Sequence, residues 1–239
     1  MTMTHSLASA VAAEPPRVDI YAFIHKGLRA MMADTLLAVG CMDLHDRTDL
    51  QTTCQRVLDL ADACTSHLSH ENTFIHPAME ACQAESSQRI AHEHEEHLSS
   101  IHQLREAVAR LQCTNGPAQA QSAQALYRRL ATFVGENFLH MRIEETEHNR
   151  VLQAGYSDAE LMALEGRIVA SMTPEENLAF LRWMVPSMTP SERALLLGGM
   201  QAEAPAPVFA ATLEALQPHL SARDWAKLEK ELTPRPMAA

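Results

Sequence analysis

At 239 residues the chain is long enough for one good hydrophobic core and an appended second one. It is 46% hydrophobic with only 8 glycines, and Ala, Leu, Met and Glu recur throughout, as expected of a soluble, mostly helical protein. A formal charge of −11, unrelieved by any basic patch, argues against nucleic acid or an anionic membrane as partner, and no apolar run reaches membrane-spanning length.

Residues 1–17, "MTMTHSLASAVAAEPPR", lack a positive leading region and hold only a short, broken apolar stretch. They read as a disordered tail rather than a signal peptide. The first predicted helix covers about 18–43, where Ile20, Ile24, Leu28, Met31, Thr35, Val39 and Met42 recur near a 3.6 period. The second covers about 48–76 and is expected to stop at Pro77, which has no N–H to donate. The third spans about 86–113. The fourth runs from about 121 to 153, with Gly155 as its C-cap. Four long helices with short connections predict an all-α, up-down-up-down four-helix bundle over 18–155.

Residues 156–239 form a C-terminal extension of shorter predicted helices. "SDAE" at 157, "TPEE" at 173 and "TPSE" at 189 are capping-box sequences, and "SARD" at 221 is a further cap. Their apolar residues require a covering surface, either the bundle or a second copy in a homodimer joined through these helices. Cys41, Cys54, Cys64, Cys82 and Cys113 are far apart with no CxxC. An odd count without motif spacing predicts reduced thiols in a cytoplasm.

The chemistry lies in the histidines. His67 and Glu71 stand four apart in the second helix, and His140 and Glu144 repeat that spacing in the fourth. Each pair shares one helical face, the arrangement that metal sites in bundles use. Height along the bundle supplies a second test. About 18 residues separate His67 from the start of its helix, and about 18 separate His25 from the end of the first. His94 lies about 19 residues from the end of the third helix, and His140 about 19 from the start of the fourth. All four stations fall in one layer. In "AHEHEEH" (91–97), His97 continues the line of Ile90, Ile101, Leu104, Val108 and Leu111, and His94 lies at its edge. His92 and His102 point elsewhere. Periodicity does not choose between His94 and His97.

Together these motifs resemble the hemerythrin-like, or HHE cation-binding, domain family. Its pattern has a lone histidine in helix one, H-x3-E before FxxP in helix two, a histidine after an acidic residue in helix three, and H-x3-E-E in helix four. The matching stretches are "FIHKGLR", "HLSHENTFIHP", "HEHEEHL" and "HMRIEE", covering about 18–152. The resemblance implies His25, His67, Glu71, His94, His140 and Glu144 as ligands, with His94 chosen in helix three. It implies two non-haem iron ions (Fe2+/Fe3+) with an oxo or hydroxo bridge, Glu71 and Glu144 bridging, and O2 or nitric oxide as the small ligand. A di-iron oxidase or peroxidase-like enzyme and a metal-storing structural bundle are the other readings.

The sequence departs from hemerythrin proper in helix three, where position 98 is leucine instead of a second histidine four residues on. Four histidines then stand where the oxygen carrier uses five, leaving one more open coordination position unless His97 supplies a fifth. Glu145, His70, His97 and Glu93 are candidates to orient the ligand rings, and His148 lies one turn beyond Glu144. His76 before Pro77 is expected to be structural. His45 falls in a turn at the far end of the bundle, and His5 and His219 lie outside it. Met31, Met32 and Met42 read as core filling. Tyr21, Phe23, Phe74 and Phe138 are candidate pocket walls.

Overall fold

The computed structural model describes residues 17–233, so residues 1–16 of the expected tail, His5 among them, lie outside the described residues, while Arg17 pairs with Asp158 at 2.6 Å. The described chain is helical, with no strand. Helix α1 (Ala22–Cys41) leads into α2 (Arg47–His70), whose N-cap Asp46 accepts hydrogen bonds from the Thr48 and Asp49 amides. α2 passes through a π turn (Glu71–Ile75) straight into α3 (His76–Cys82). The expected stop at Pro77 is therefore corrected. The wider turn ends at Ile75, two residues before the proline, and His76 N–H bonds to the Glu71 carbonyl five residues back. Pro77 then sits in the first turn of the next α segment, where its missing donor costs little.

Helix α4 (Gln88–Gln112) is followed by α5 (Gly116–Ile143), a second π turn (Glu144–His148) and α6 (Asn149–Gly155). α5 starts earlier than the expected residue 121 because Gly116, at φ 59°, turns the chain and Pro117 opens the helix. Helices α1, α2, α4 and α5 close a ring of contacts, α1 on α2 and α5, α2 on α4, and α4 on α5. Their facing sides bury Leu28, Met32, Val57, Leu60, Leu104 and Leu130 among others.

The later helices are α7 (Asp158–Ser171), α8 (Pro174–Ser187), α9 (Pro190–Glu203), α10 (Ala206–Leu216) and α11 (Ala222–Leu232). α8 lies along α1, and its Phe180 enters the main core. The approach is close at Gly27, where a Cβ would meet the Met184 backbone nitrogen at 3.0 Å. Ser157 and Thr189 form reciprocal capping boxes, but at Thr173 the box is half made. Glu176 turns away from its own N-terminus to hydrogen-bond Ser66 of α2, and Lys26 of α1 pairs with Glu192 at 2.6 Å. Leu181, Val185, Leu197, Phe209, Leu216 and Leu228 make a small core among the C-terminal helices.

Candidate metal centre

All six side chains singled out by spacing and resemblance converge where α1 begins. They form two groups that can each hold a metal ion, His25–His67–Glu71–Glu144 and Glu71–His94–His140–Glu144. In each group the donor atoms lie within 4.8 Å of one another. The carboxylates are divided between the groups. Glu71 Oε1 faces His67 Nε2 at 3.2 Å, while its Oε2 faces His94 Nε2 at 3.5 Å. Glu144 Oε2 faces His25 Nε2 at 3.4 Å, and its Oε1 faces His140 Nε2 at 3.0 Å. Each carboxylate thus gives one oxygen to each group.

These short separations are not hydrogen bonds. Three rings have their other nitrogen beside a side-chain oxygen: His25 Nδ1 to Glu145 at 3.1 Å, His94 Nδ1 to Asn72 Oδ1 at 2.8 Å, and His140 Nδ1 to Glu93 at 3.1 Å. An oxygen acceptor places the proton on Nδ1, so Nε2 carries a lone pair. The 3.2 Å approach of His94 Nε2 to His140 Nε2 then sets two acceptors side by side. His25 Nε2, His67 Nε2 and all four oxygens of Glu71 and Glu144 are buried without a hydrogen-bond partner. So many buried lone pairs aimed at common points are costly in a protein interior and suit cations. Two donors about 2.1 Å from one ion at a right angle lie about 3 Å apart, close to the spacings found here. The donor set fits two metal ions.

Burial sets the protonation of the metal-free site. It pushes the Glu71 carboxyl well above the usual range, with the Glu144 charge adding to the effect, and it raises Glu144 likewise. It drives His67 well down, helped by neighbouring His25, and His94 down to about 2. Burial also lowers His25, against the opposing effect of the hydrogen bond it donates to Glu145. For Glu145 itself burial acts upward, but its bonds to His25 and Arg29 outweigh that and hold it at about 2. Metal loading at neutral pH is therefore expected to release protons from the carboxyls and none from His25, His67 or His94, whose rings burial holds neutral. Titration calorimetry in buffers of differing ionisation enthalpy measures this. Heats independent of buffer would show the carboxyls already ionised.

The other candidates separate by position. Glu145 and Glu93 touch ligand rings directly, whereas His70 reaches only Ser66 and Phe74. His97 is buried, edge-on to His140 at 4.5 Å, yet belongs to neither donor group. His148 is buried beneath the Tyr21 hydroxyl, 3.3 Å from its Nδ1. His76, expected to be structural, stacks on His94 at 4.8 Å. His45, His92, His102 and His219 are exposed. Tyr21 stacks on His25 at 5.1 Å, but Phe138 is exposed and walls nothing.

Sequence reasoning missed Asn72, Arg29 and both π turns. Glu71 and Glu144 each open a π turn, a distortion often found at functional sites. At 100° per residue His76 would point about 140° away from Glu71. The wider turn brings it back toward the site. Only Pro77 hinted at an irregularity.

Among the described residues no helix is long and apolar enough to cross a membrane. Comparison with known families matches residues 17–151 to the hemerythrin HHE cation binding domain. No curated protein and no solved structure matches the chain.

Proposed function

The chain belongs to the hemerythrin HHE cation-binding family, and on that premise we propose that its six donors hold two non-haem iron ions that bind O2 or nitric oxide. The observation that carries the reading is the division of each buried carboxylate between two histidine-containing groups. Imidazole and carboxylate together suit iron. Iron held there supplies open coordination positions and one electron per ion, which is what a diatomic oxidant or radical requires. We read the ring of α1, α2, α4 and α5 as an up-down-up-down bundle, and the five free cysteines as those of a cytoplasmic protein.

The protein's own part is to hold, orient and keep dry. Glu145, Asn72 and Glu93 fix three rings through Nδ1 and so aim Nε2 inward. Arg29 anchors Glu145, its Nη2 3.0 Å from Oε2. Tyr21 and His76 stack on the His25 and His94 rings, and buried His148 packs against both Tyr21 and His76.

Protein expressed with ample iron is expected to hold about two irons per chain and to show near-ultraviolet ferric bands. The reduced form should change spectrum reversibly with O2 or nitric oxide. One ion or none would end the dinuclear reading, and zinc occupancy without a gas response would favour the structural bundle. Turnover with electron donors would favour the enzyme.

Substitutions in α4 test the ligand register. His94→Ala is expected to lose most of the iron through gel filtration with a chelator, and His97→Ala to keep most of it with an altered spectrum. His92→Ala, being exposed, should leave it unchanged. Loss in the His97 variant alone would mean that α4 presents the other histidine. Loss in both would make His97 a fifth histidine ligand.

A further inference from the structure

A cavity of about 170 Å³ lies where the C-terminal helices meet the start of the bundle. Ile24 of α1, Ile168 of α7, Met172 between α7 and α8, Phe180 and Met184 of α8 and Leu196 of α9 line it. Buried Tyr21 and Glu71, with partly buried His67, form its inner end. Val169, 45% exposed, stands at its rim. The cavity needs the extension, because most of its wall comes from α7, α8 and α9.

From this shape and lining we propose that the cavity is a binding site for a small, uncharged hydrocarbon molecule of about benzene size, held against the His67–Glu71 side of the centre. Size follows from volume, since an apolar protein cavity of about 150 Å³ stays dry and takes up benzene. Sign follows from the lining. No lysine or arginine faces the cavity, whereas Glu71 and Glu165 do. Glu165 has no ion-pair or hydrogen-bond partner among the described residues, and burial pushes its carboxyl up. In the metal-free chain an anionic ligand would lie beside Glu165 with no lysine or arginine to compensate it, so carboxylates are disfavoured there. The site borders the centre proposed above, but filling it needs no metal, so the two readings can fail separately.

Three methionines, Met172, Met184 and Met200, line the cavity among 13 in the chain, and they give the test. Toluene is titrated into the full chain carrying labelled methionine methyl groups, with and without bound metal. Saturable shifts and toluene contacts confined to those three methyls are expected. Met200→Trp and Ile168→Trp, which fill the cavity, should each weaken toluene binding about tenfold or more while metal content stays that of wild type. In the metal-free chain benzylamine should bind about tenfold or more tightly than benzoate, and Glu165→Gln should narrow that gap. No saturable binding, or shifts spread over other methionines, would overturn the site, and the methyl measurement decides this on the wild-type chain even if both tryptophan variants misfold. Unchanged affinity in folded filling variants would place the toluene elsewhere. Equal binding of benzoate and benzylamine would overturn the charge argument.

Discussion

Glu71→Gln and Glu144→Gln are each expected to strip both metal ions together and, in the metal-free protein, to raise the melting temperature. The loss is joint because each carboxylate faces histidines of both groups, whereas His67 belongs to one. An amide keeps the shape but removes the charge and one good donor oxygen. The gain in the metal-free state has the opposite origin. All four carboxylate oxygens are buried without hydrogen-bond partners, and burial raises both carboxyls. A carboxyl raised on folding contributes its full stability only below its unfolded value, and that contribution is lost as pH rises through the folded one. At neutral pH the native carboxyls therefore oppose folding, and neutral amides relieve about 1–3 kcal/mol. With about 2–4 °C per kcal/mol in a chain of this size, the chelated variants should melt several degrees above chelated wild type. That gap should close as pH falls through the range where the wild-type carboxyls protonate. Loaded wild type should melt above all of them, because bound ions stabilise only the folded form. Exposed Glu147→Ala should match wild type in metal content and in melting. Retention of both ions by the Gln variants, or metal-free variants melting below metal-free wild type, would contradict this account of the site.

The candidate donor set was legible because α-helical spacing is rigid. Four residues return a side chain to the same face, so two H-x3-E pairs announce two faces, and equal heights put them in one layer. The choice in α4 was not legible from periodicity. His94 and His97 are both buried, and what separates them is reach: His94 Nε2 arrives beside Glu71 and Glu144, while His97 stops against His140. The π turns were hidden for a different reason. They are shifts in backbone pairing, and a pattern of apolar residues reports side-chain direction, not which carbonyl an amide has chosen. Asn72 was invisible because its partner His94 lies 22 residues away on another helix. Thr173–Glu176 looked like a capping box, and local spacing could not show that Ser66 competes for the glutamate. Gly27 carries no local signal either, because the Met184 backbone it faces belongs to α8, far along the chain.

Ending the chain after Gly155 is expected to leave the six donors in sequence but to cost about 10 °C or more in melting temperature and to drive self-association. α8 lies along α1, Phe180 is buried in the main core, and Trp183 and Met184 pack against that core. Losing full burial of residues of this kind costs about 1.5–3 kcal/mol each. The same cut removes the outer wall of the apolar cavity, so water reaches Tyr21 and the Glu71 side of the centre. Metal should then leave faster on chelation even though no ligand has been deleted. Gly27→Leu is the milder form of the same experiment. Its side chain has no room beside the Met184 backbone, so α8 must move off α1 at a cost of about 1–3 kcal/mol. Its melting temperature should fall between those of the full and shortened chains, with faster metal loss than wild type. Sedimentation of the full chain tests in the same series whether the C-terminal helices also join two copies. A shortened chain that stays monomeric and melts with the full one would make α7–α11 a separate module, and the packing of α8 on α1 would then contribute little to the stability of the bundle.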